Sequence, residues 1–319
     1  MVPIFDRRSS PALIDLIQRL IQSVFTAWAA VSFTFFALRV SAGDPAAVLL
    51  SRGLARPEDI AILRAELGFD QPLLHQYLAF LQDLLRGDLG QSLYTRQPVL
   101  DIILEQLPHT LTLAALALLF TLLLSAMLGL GSALWKGKPA AALLSSLTGA
   151  AIALPVIFVG TLMLWVFRAG TISGFLPQKQ WVMQLLLPAL VLGFSTSGGI
   201  AWILQTGILE NMRAPFYLAA KARGVRPGFP LLWHALKPAL PPAVSLFALE
   251  ASFLFTGTVV TETIFARPGL GRLLVQSILE GDFPIAQGLV VLAALVYTFS
   301  LAAGDALAYV LDPRLRSDT

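Results

Sequence analysis

Hydrophobic residues fall into six long blocks, separated by short polar segments except for one long interval between the first and second. Residues 20–38 carry no charge and are bracketed by Arg19 and Arg39. Residues 111–135 are uncharged and end at Lys136, and residues 140–167 are uncharged with Pro155 as a kink. Residues 182–209 hold Pro188 and a small-residue patch at 195–199; residues 243–264 carry Glu250 and Glu262; residues 285–311 carry Asp305. About 20 apolar residues cross a hydrocarbon core as a helix. The pattern therefore predicts an all-α membrane protein of six transmembrane helices. The first block is too long for a signal-peptide core and lacks a small-residue cleavage site, so it reads as an uncleaved first span.

The long interval at 39–110 is patterned as well. Residues 57–67 read as a helix with Glu58 and Asp59 in its first turn and Gly68 as its stop. A second helix starts at Gln71 and Pro72. Its Leu73, Leu74, Tyr77, Leu78, Leu81, Leu84 and Leu85 form an apolar stripe that ends at Gly87. Such helices either cover the outer face of the bundle or serve as a gate or a docking surface for a soluble partner.

Lysine and arginine orient the spans. With the N-terminus inside, the inner segments hold twelve basic residues: Arg7, Arg8, Arg19, Lys136, Lys138, Arg213, Lys221, Arg223, Arg226, Lys237, Arg314 and Arg316. The short outer loops hold four, Arg168, Lys179, Arg267 and Arg272. Both termini are thus expected in the cytoplasm, and 39–110 outside.

Composition agrees. Of 319 residues 56% are hydrophobic and 13% charged, against roughly a quarter charged in soluble domains. The net charge of +3 is explained by the inner loops, so no nucleic-acid partner is expected. There is no cysteine, and the three histidines (His75, His109, His234) are far apart, so no metal site is expected in this chain. A phosphate-binding loop needs Gly, four residues, then Gly-Lys-Ser/Thr. The nearest approach, Gly131 to Lys138, has the wrong spacing and Pro139 where the hydroxyl belongs. Any ATP must be hydrolysed elsewhere.

The inner segment between spans four and five is the most informative. Pro215 suits the first turn of a helix and Gly224 its end. Between them lie small residues and one aromatic pair, Phe216 and Tyr217, a composition that lets a helix seat in a groove on another protein with an aromatic anchor. Pro230, Pro238, Pro241 and Pro242 stiffen the approach to span five. Read alone, this is either such a helix or an ordinary basic inner loop. Intramembrane acids are functional candidates by default. Glu250 and Glu262 are candidates for the pathway or gate, with Glu262 alternatively capping the turn at 268–271, while Asp305 is expected to pair structurally.

Distinct short motifs are spread along the whole chain: Gly43-Asp44-Pro45, ELGFDQP at 66–72, GDLGQS at 87–92, RQPV at 96–99 and LPHTL at 107–111. The second half adds AKARGV at 220–225, HALKPALP at 234–241, ETIFARPGLGR at 262–272, DFP at 282–284 and DPR at 312–314. In this order and spacing the chain resembles the B-type permeases of dipeptide, oligopeptide and nickel importers of the ATP-binding-cassette class. The resemblance implies a type I importer permease fold of six spans, with a long helical extracytoplasmic loop between spans 1 and 2. The segments are then 1–19 (cytoplasmic), 20–38 (first span), 39–110 (outer loop), 111–311 (five-helix core with the 210–242 coupling loop) and 312–319 (cytoplasmic tail). It also implies that Phe216, Tyr217, Ala219, Ala220, Lys221, Ala222, Arg223 and Gly224 form the coupling helix that seats in an ATPase subunit. Expected partners are a second homologous permease in a heterodimer, two ATP-binding subunits carrying ATP and magnesium, a periplasmic solute-binding protein and membrane lipid. No cofactor is expected in this chain. The location implied is the bacterial inner membrane, and the cargo peptides, nickel, or a metal chelate or opine-type solute. A single-chain secondary transporter is the alternative, but it would require inverted repeats around broken helices, and none is evident.

Overall fold

The computed structural model describes residues 10–41, 62, 64–65, 68, 70–168, 182–224 and 228–311. The described residues are helical apart from turns and one isolated bridge, Gln91 to Pro98. The principal helices are α1 (Ser10–Ser41), α2 (Leu73–Leu85), α3 (Val99–Leu134), α4 (Pro139–Ala153), α5 (Val156–Arg168), α6 (Leu187–Asn211), α7 (Pro215–Ala222), α8 (Lys237–Ile264), α9 (Leu270–Glu280) and α10 (Phe283–Leu311). Among the described residues three stretches are long and apolar enough to cross a membrane: Ile21–Val40, Val99–Leu134 and Val182–Asn211. The pair α4–α5 makes a fourth if counted as one span.

That pair corrects the expected third span. Instead of a single kinked helix over 140–167, the chain breaks at Leu154 and Pro155 and turns by 114°. A proline removes one backbone donor and clashes with the carbonyl four residues back. Here the helix stops altogether, with Leu154 extended at ψ 125°. Two other prolines are absorbed differently. Pro188 and Pro238 each stand in the first turn of a helix, directly after a wide π-turn, Val182–Leu186 and Leu231–Leu236 respectively. A π-turn loosens the hydrogen-bond ladder where the missing donor would otherwise leave a gap. The second predicted span also starts earlier than expected. α3 is continuous from Val99 through Pro108, so the last stretch of the predicted outer loop is helix.

The chain divides into two compact units, residues 1–108 with 272–299 and 319, and residues 109–271 with 300–318. In the first, α2 crosses the C-terminal part of α1. Tyr77 bonds Ser32 at 2.6 Å and packs on Phe35 and Phe36, while the Arg39 Nε–H donates to Gln76 at 2.9 Å. Leu38, Phe283 and Ala286 form a small core beside it. The start of α3 meets α10 so closely that a Cβ on Gly288 would stand 2.6 Å from Val99. The predicted stripe on α2 thus divides. Tyr77 is buried, but Leu74, Leu78 and Leu85 are 66%, 56% and 89% exposed. The expected helix at 57–67 lies almost wholly outside the described residues.

In the second unit α6 is the central element, packed by α8, α4 and α5. The small-residue patch at 195–199 belongs to its closest crossings. A Cβ on Gly193 would stand 2.6 Å from Phe120, and one on Gly198 2.9 Å from Ala151 and the Ile152 backbone nitrogen. Small residues let apolar helices approach until backbone meets backbone, which is how helices associate where water supplies no hydrophobic drive. Thr121 and Thr196 share a hydrogen bond of 2.5 Å across one of these contacts.

Candidate functional sites

α7 begins at Pro215 and is closed by Arg223, whose N–H reaches the Ala219 carbonyl, and by Gly224 at φ +73°. Both ends were legible from the sequence, because a proline costs nothing where the helix has free N–H groups anyway and the left-handed exit suits glycine. Behind α7, the Asn211 amide donates to the Ala235 carbonyl at 3.0 Å, tying the end of α6 to the π-turn before α8.

The faces of α7 are unequal. Ala220 is buried and Tyr217 packs on the core of Ile200, Leu204, Ile208, Ala235 and Ala239. These two residues hold α7 to its own chain. The free face carries Leu218, Ala219 and Ala222, flanked by Lys221, Arg223 and a half-exposed Phe216 whose ring also meets His234 at 6.4 Å. The expected anchor pair is therefore split, with Tyr217 inward and Phe216 at the edge. Leu218, 54% exposed, was missed by the sequence reading; its place between the aromatic pair Phe216-Tyr217 and the small pair Ala219-Ala220 was the available signal. Val225 lies outside the described residues.

Glu262 lies near the end of α8 with no exposed surface. Its Oε1 accepts from the Thr110 hydroxyl at 2.7 Å and its Oε2 from the Gly271 N–H at 2.8 Å. Thr110 in turn accepts from the Leu270 N–H at 2.8 Å. The turn between has Ala266 in the left-handed region at φ +50°, and Gly269 lies so close that a Cβ there would meet the carboxylate at 2.3 Å. Arg267, 5% exposed, donates to the His109 carbonyl at 2.6 Å. Burial pulls the Arg267 guanidinium below its ordinary value, and the nearby Glu262 carboxylate opposes that. These contacts match the capping reading of Glu262, whose two oxygens bind the turn at 268–271 and the hydroxyl of Thr110. Thr110 and Arg267 had no assigned role in the sequence, though both fall in motifs that carry the family resemblance, LPHTL and ETIFARPGLGR. Glu250 is half-buried on α8, with no hydrogen bond given to it among the described residues, and α10 includes Asp305, whose side chain lies outside them.

A second buried carboxylate, Asp282, was not singled out. Its side chain accepts from the Ser92 hydroxyl at 2.6 Å, from the Leu93 N–H at 3.3 Å and from the N–H of Ile285 in the first turn of α10. Tyr94 donates to the Glu280 carbonyl. Burial pushes the Asp282 carboxyl above its ordinary value, while the bonds from Ser92, Leu93 and Ile285 pull it back. No group of three or more potential metal ligands occurs among the described residues.

Comparison with known proteins gives these features a family. Residues 125–317 match the family described as binding-protein-dependent transport system inner membrane component, and residues 13–114 match the N-terminal region described for the same systems. A putative peptide transport system permease of Brucella abortus is 32% identical over 311 residues, covering 95% of this chain and 99% of the relative. A probable peptide ABC transporter permease of Sinorhizobium fredii is 30% identical over 309 residues, with 94% and 98% covered. The glutathione transport system permease of Escherichia coli is 29% identical over 304 residues, again with 94% and 98% covered. A crystal structure of an amino acid ABC transporter shares the fold with a TM-score of 0.53 at 17% identity, covering 67% of this chain and 94% of that one. Permease subunits of this kind carry no cofactor and work with separate ATPase and binding-protein components. The chain belongs to the binding-protein-dependent transport system inner membrane components and is a multi-pass permease subunit of an ABC importer, not itself an enzyme.

Proposed function

We propose that this permease imports peptide-class solutes and that its α7 is the coupling helix through which a separate ATPase moves it. The observation that carries the proposal is the free face of α7. Leu218, Ala219 and Ala222 form a small, flat, apolar surface, with Phe216 beside it. A groove on the ATPase subunit suits such a face, and Tyr217 transmits its displacement into α6 and α8 through the core it packs on. The relatives named for peptide and glutathione transport support the cargo class.

The charge asymmetry of the loops supports six spans with both termini in the cytoplasm, and residues 39–110 outside. A second, homologous permease completes the pore, two ATPase subunits grip the inner face, and a periplasmic binding protein delivers cargo. Alternating access follows if ATP binds better to the outward-facing form than to the inward-facing one.

The chain has no cysteine, so Ala219→Cys is its single thiol. A short bifunctional cross-linker applied to the assembled importer should join position 219 to the ATPase subunit, and should fail at the buried position 220. Equal labelling of both positions with no ATPase adduct would remove α7 from the coupling role.

A further inference from the structure

The exposed leucine strip of α2 has a definite position against α1. Leu74, Leu78 and Leu85 stand at spacings of four and seven, within roughly 40° of one another at 100° per residue. An apolar strip this exposed is costly to leave in water. Around the α1–α2 contact the side chains are ordered. Around α2 the contact runs from Gln76, bonded to Arg39, through Phe80 on Phe35 to Tyr77, and Tyr77 with its partner Phe36 makes the apolar edge. Beyond that apolar edge, helical geometry puts Phe33 and Val40 next on α1, and the leucine strip next on α2. Phe33 and Val40 are 74% and 79% exposed. The two strips therefore form one continuous apolar surface, half of it on a stretch long and apolar enough to span a membrane.

Depth identifies what covers it. The stretch ends at Val40, and α2 packs on Phe35 and Phe36, about 7 Å short of that end at 1.5 Å per residue. Amphipathic helices that lie in a membrane interface are buried about 5–10 Å into the headgroup and acyl boundary. We propose that α2 is such an interfacial helix, with Leu74, Leu78 and Leu85 inserted among the lipid chains at the C-terminal end of α1. Ala79 and Asp83, about 120° and 160° around α2 from the middle of the strip, stay in water or headgroups. The bond from Tyr77 to Ser32 at 2.6 Å pins α2 at this depth. The leaflet is the outer one, which rests on the orientation proposed above.

The test uses the assembled importer in lipid vesicles, with partner-subunit cysteines replaced. Single cysteines at Leu74, Leu78, Leu85, Ala79 and Asp83 carry a nitroxide, and each label's collisions with oxygen are compared with those of a water-soluble nickel chelate. Oxygen should dominate at 74, 78 and 85 and the chelate at 79 and 83. Chelate dominance at the leucine positions would overturn the proposal by making the strip an aqueous surface. Labels there that are immobile and closed to both reagents would overturn it in favour of a protein partner. Chelate confined to one side of the vesicle reports the leaflet through positions 79 and 83, so a wrong orientation is told apart from a wrong environment.

Discussion

Replacing Thr110 with valine keeps the shape of a fully buried side chain and removes one oxygen. That oxygen makes two bonds, donating to Glu262 at 2.7 Å and accepting from the Leu270 N–H at 2.8 Å. A hydrogen bond to a charged group contributes about 1.5–3 kcal/mol, and an orphaned buried donor costs about 1–3 kcal/mol. The two overlap, because the turn relaxes once it is released, so a total of about 2–4 kcal/mol follows. At 1.4 kcal/mol per tenfold this is roughly thirtyfold to a thousandfold in the unfolded fraction. Thr110→Ser keeps the hydroxyl and loses one methyl, about 0.8 kcal/mol. Reversible unfolding of the lipid-reconstituted importer, read by the fluorescence of a reporter at 268–271, should order the proteins wild type, Ser, then Val, with the larger gap before Val. A valine variant as stable as the wild type, or a serine variant as weak as valine, would refute the assignment of Glu262 and Thr110 as the clasp of that turn.

Burial holds the folded-state value for Asp282 above the ordinary 3.8. A raised carboxyl favours the protonated fold, so its contribution is complete below 3.8 and is lost as pH rises through the raised value. Stability measured from pH 4 upward should therefore fall more for wild type than for Asp282→Asn, and parallel curves would contradict this. A Cβ at Gly271 would stand 2.4 Å from the Val259 Cα, whereas one at Gly199 meets only the tip of Leu246 at 3.4 Å. Gly271→Ala should cost about 1–3 kcal/mol or more and Gly199→Ala little, as thermal melting in lipid will report.

How far the sequence reached depends on the range of the forces involved. The apolar stretches in α1, α3 and α6 and the ends of α7 follow from local rules: hydrophobic length, a proline at the start and a glycine at the exit. The break between α4 and α5 was underestimated, since Pro155 alone does not say whether a helix bends or stops. The two faces of α2 were merged for a similar reason. A leucine-rich stripe does not reveal which part meets Phe35 and which part meets lipid. The pairings of Thr110 with Glu262 and of Ser92 with Asp282 join residues 152 and 190 positions apart, and no local pattern encodes such partners. The family resemblance placed Tyr217 and Ala220 in the proposed coupling helix, but only packing separates the residues that hold α7 from those it presents.

The central claim is that force from a separate ATPase enters through the free face of α7. Ala219→Trp places bulk on that face without entering the core. ATP-driven peptide uptake by the reconstituted importer should then fall roughly thirtyfold, as expected for losing an interface anchor of about 2 kcal/mol, while the permease melts at its normal temperature. Uptake at the wild-type rate would contradict the account.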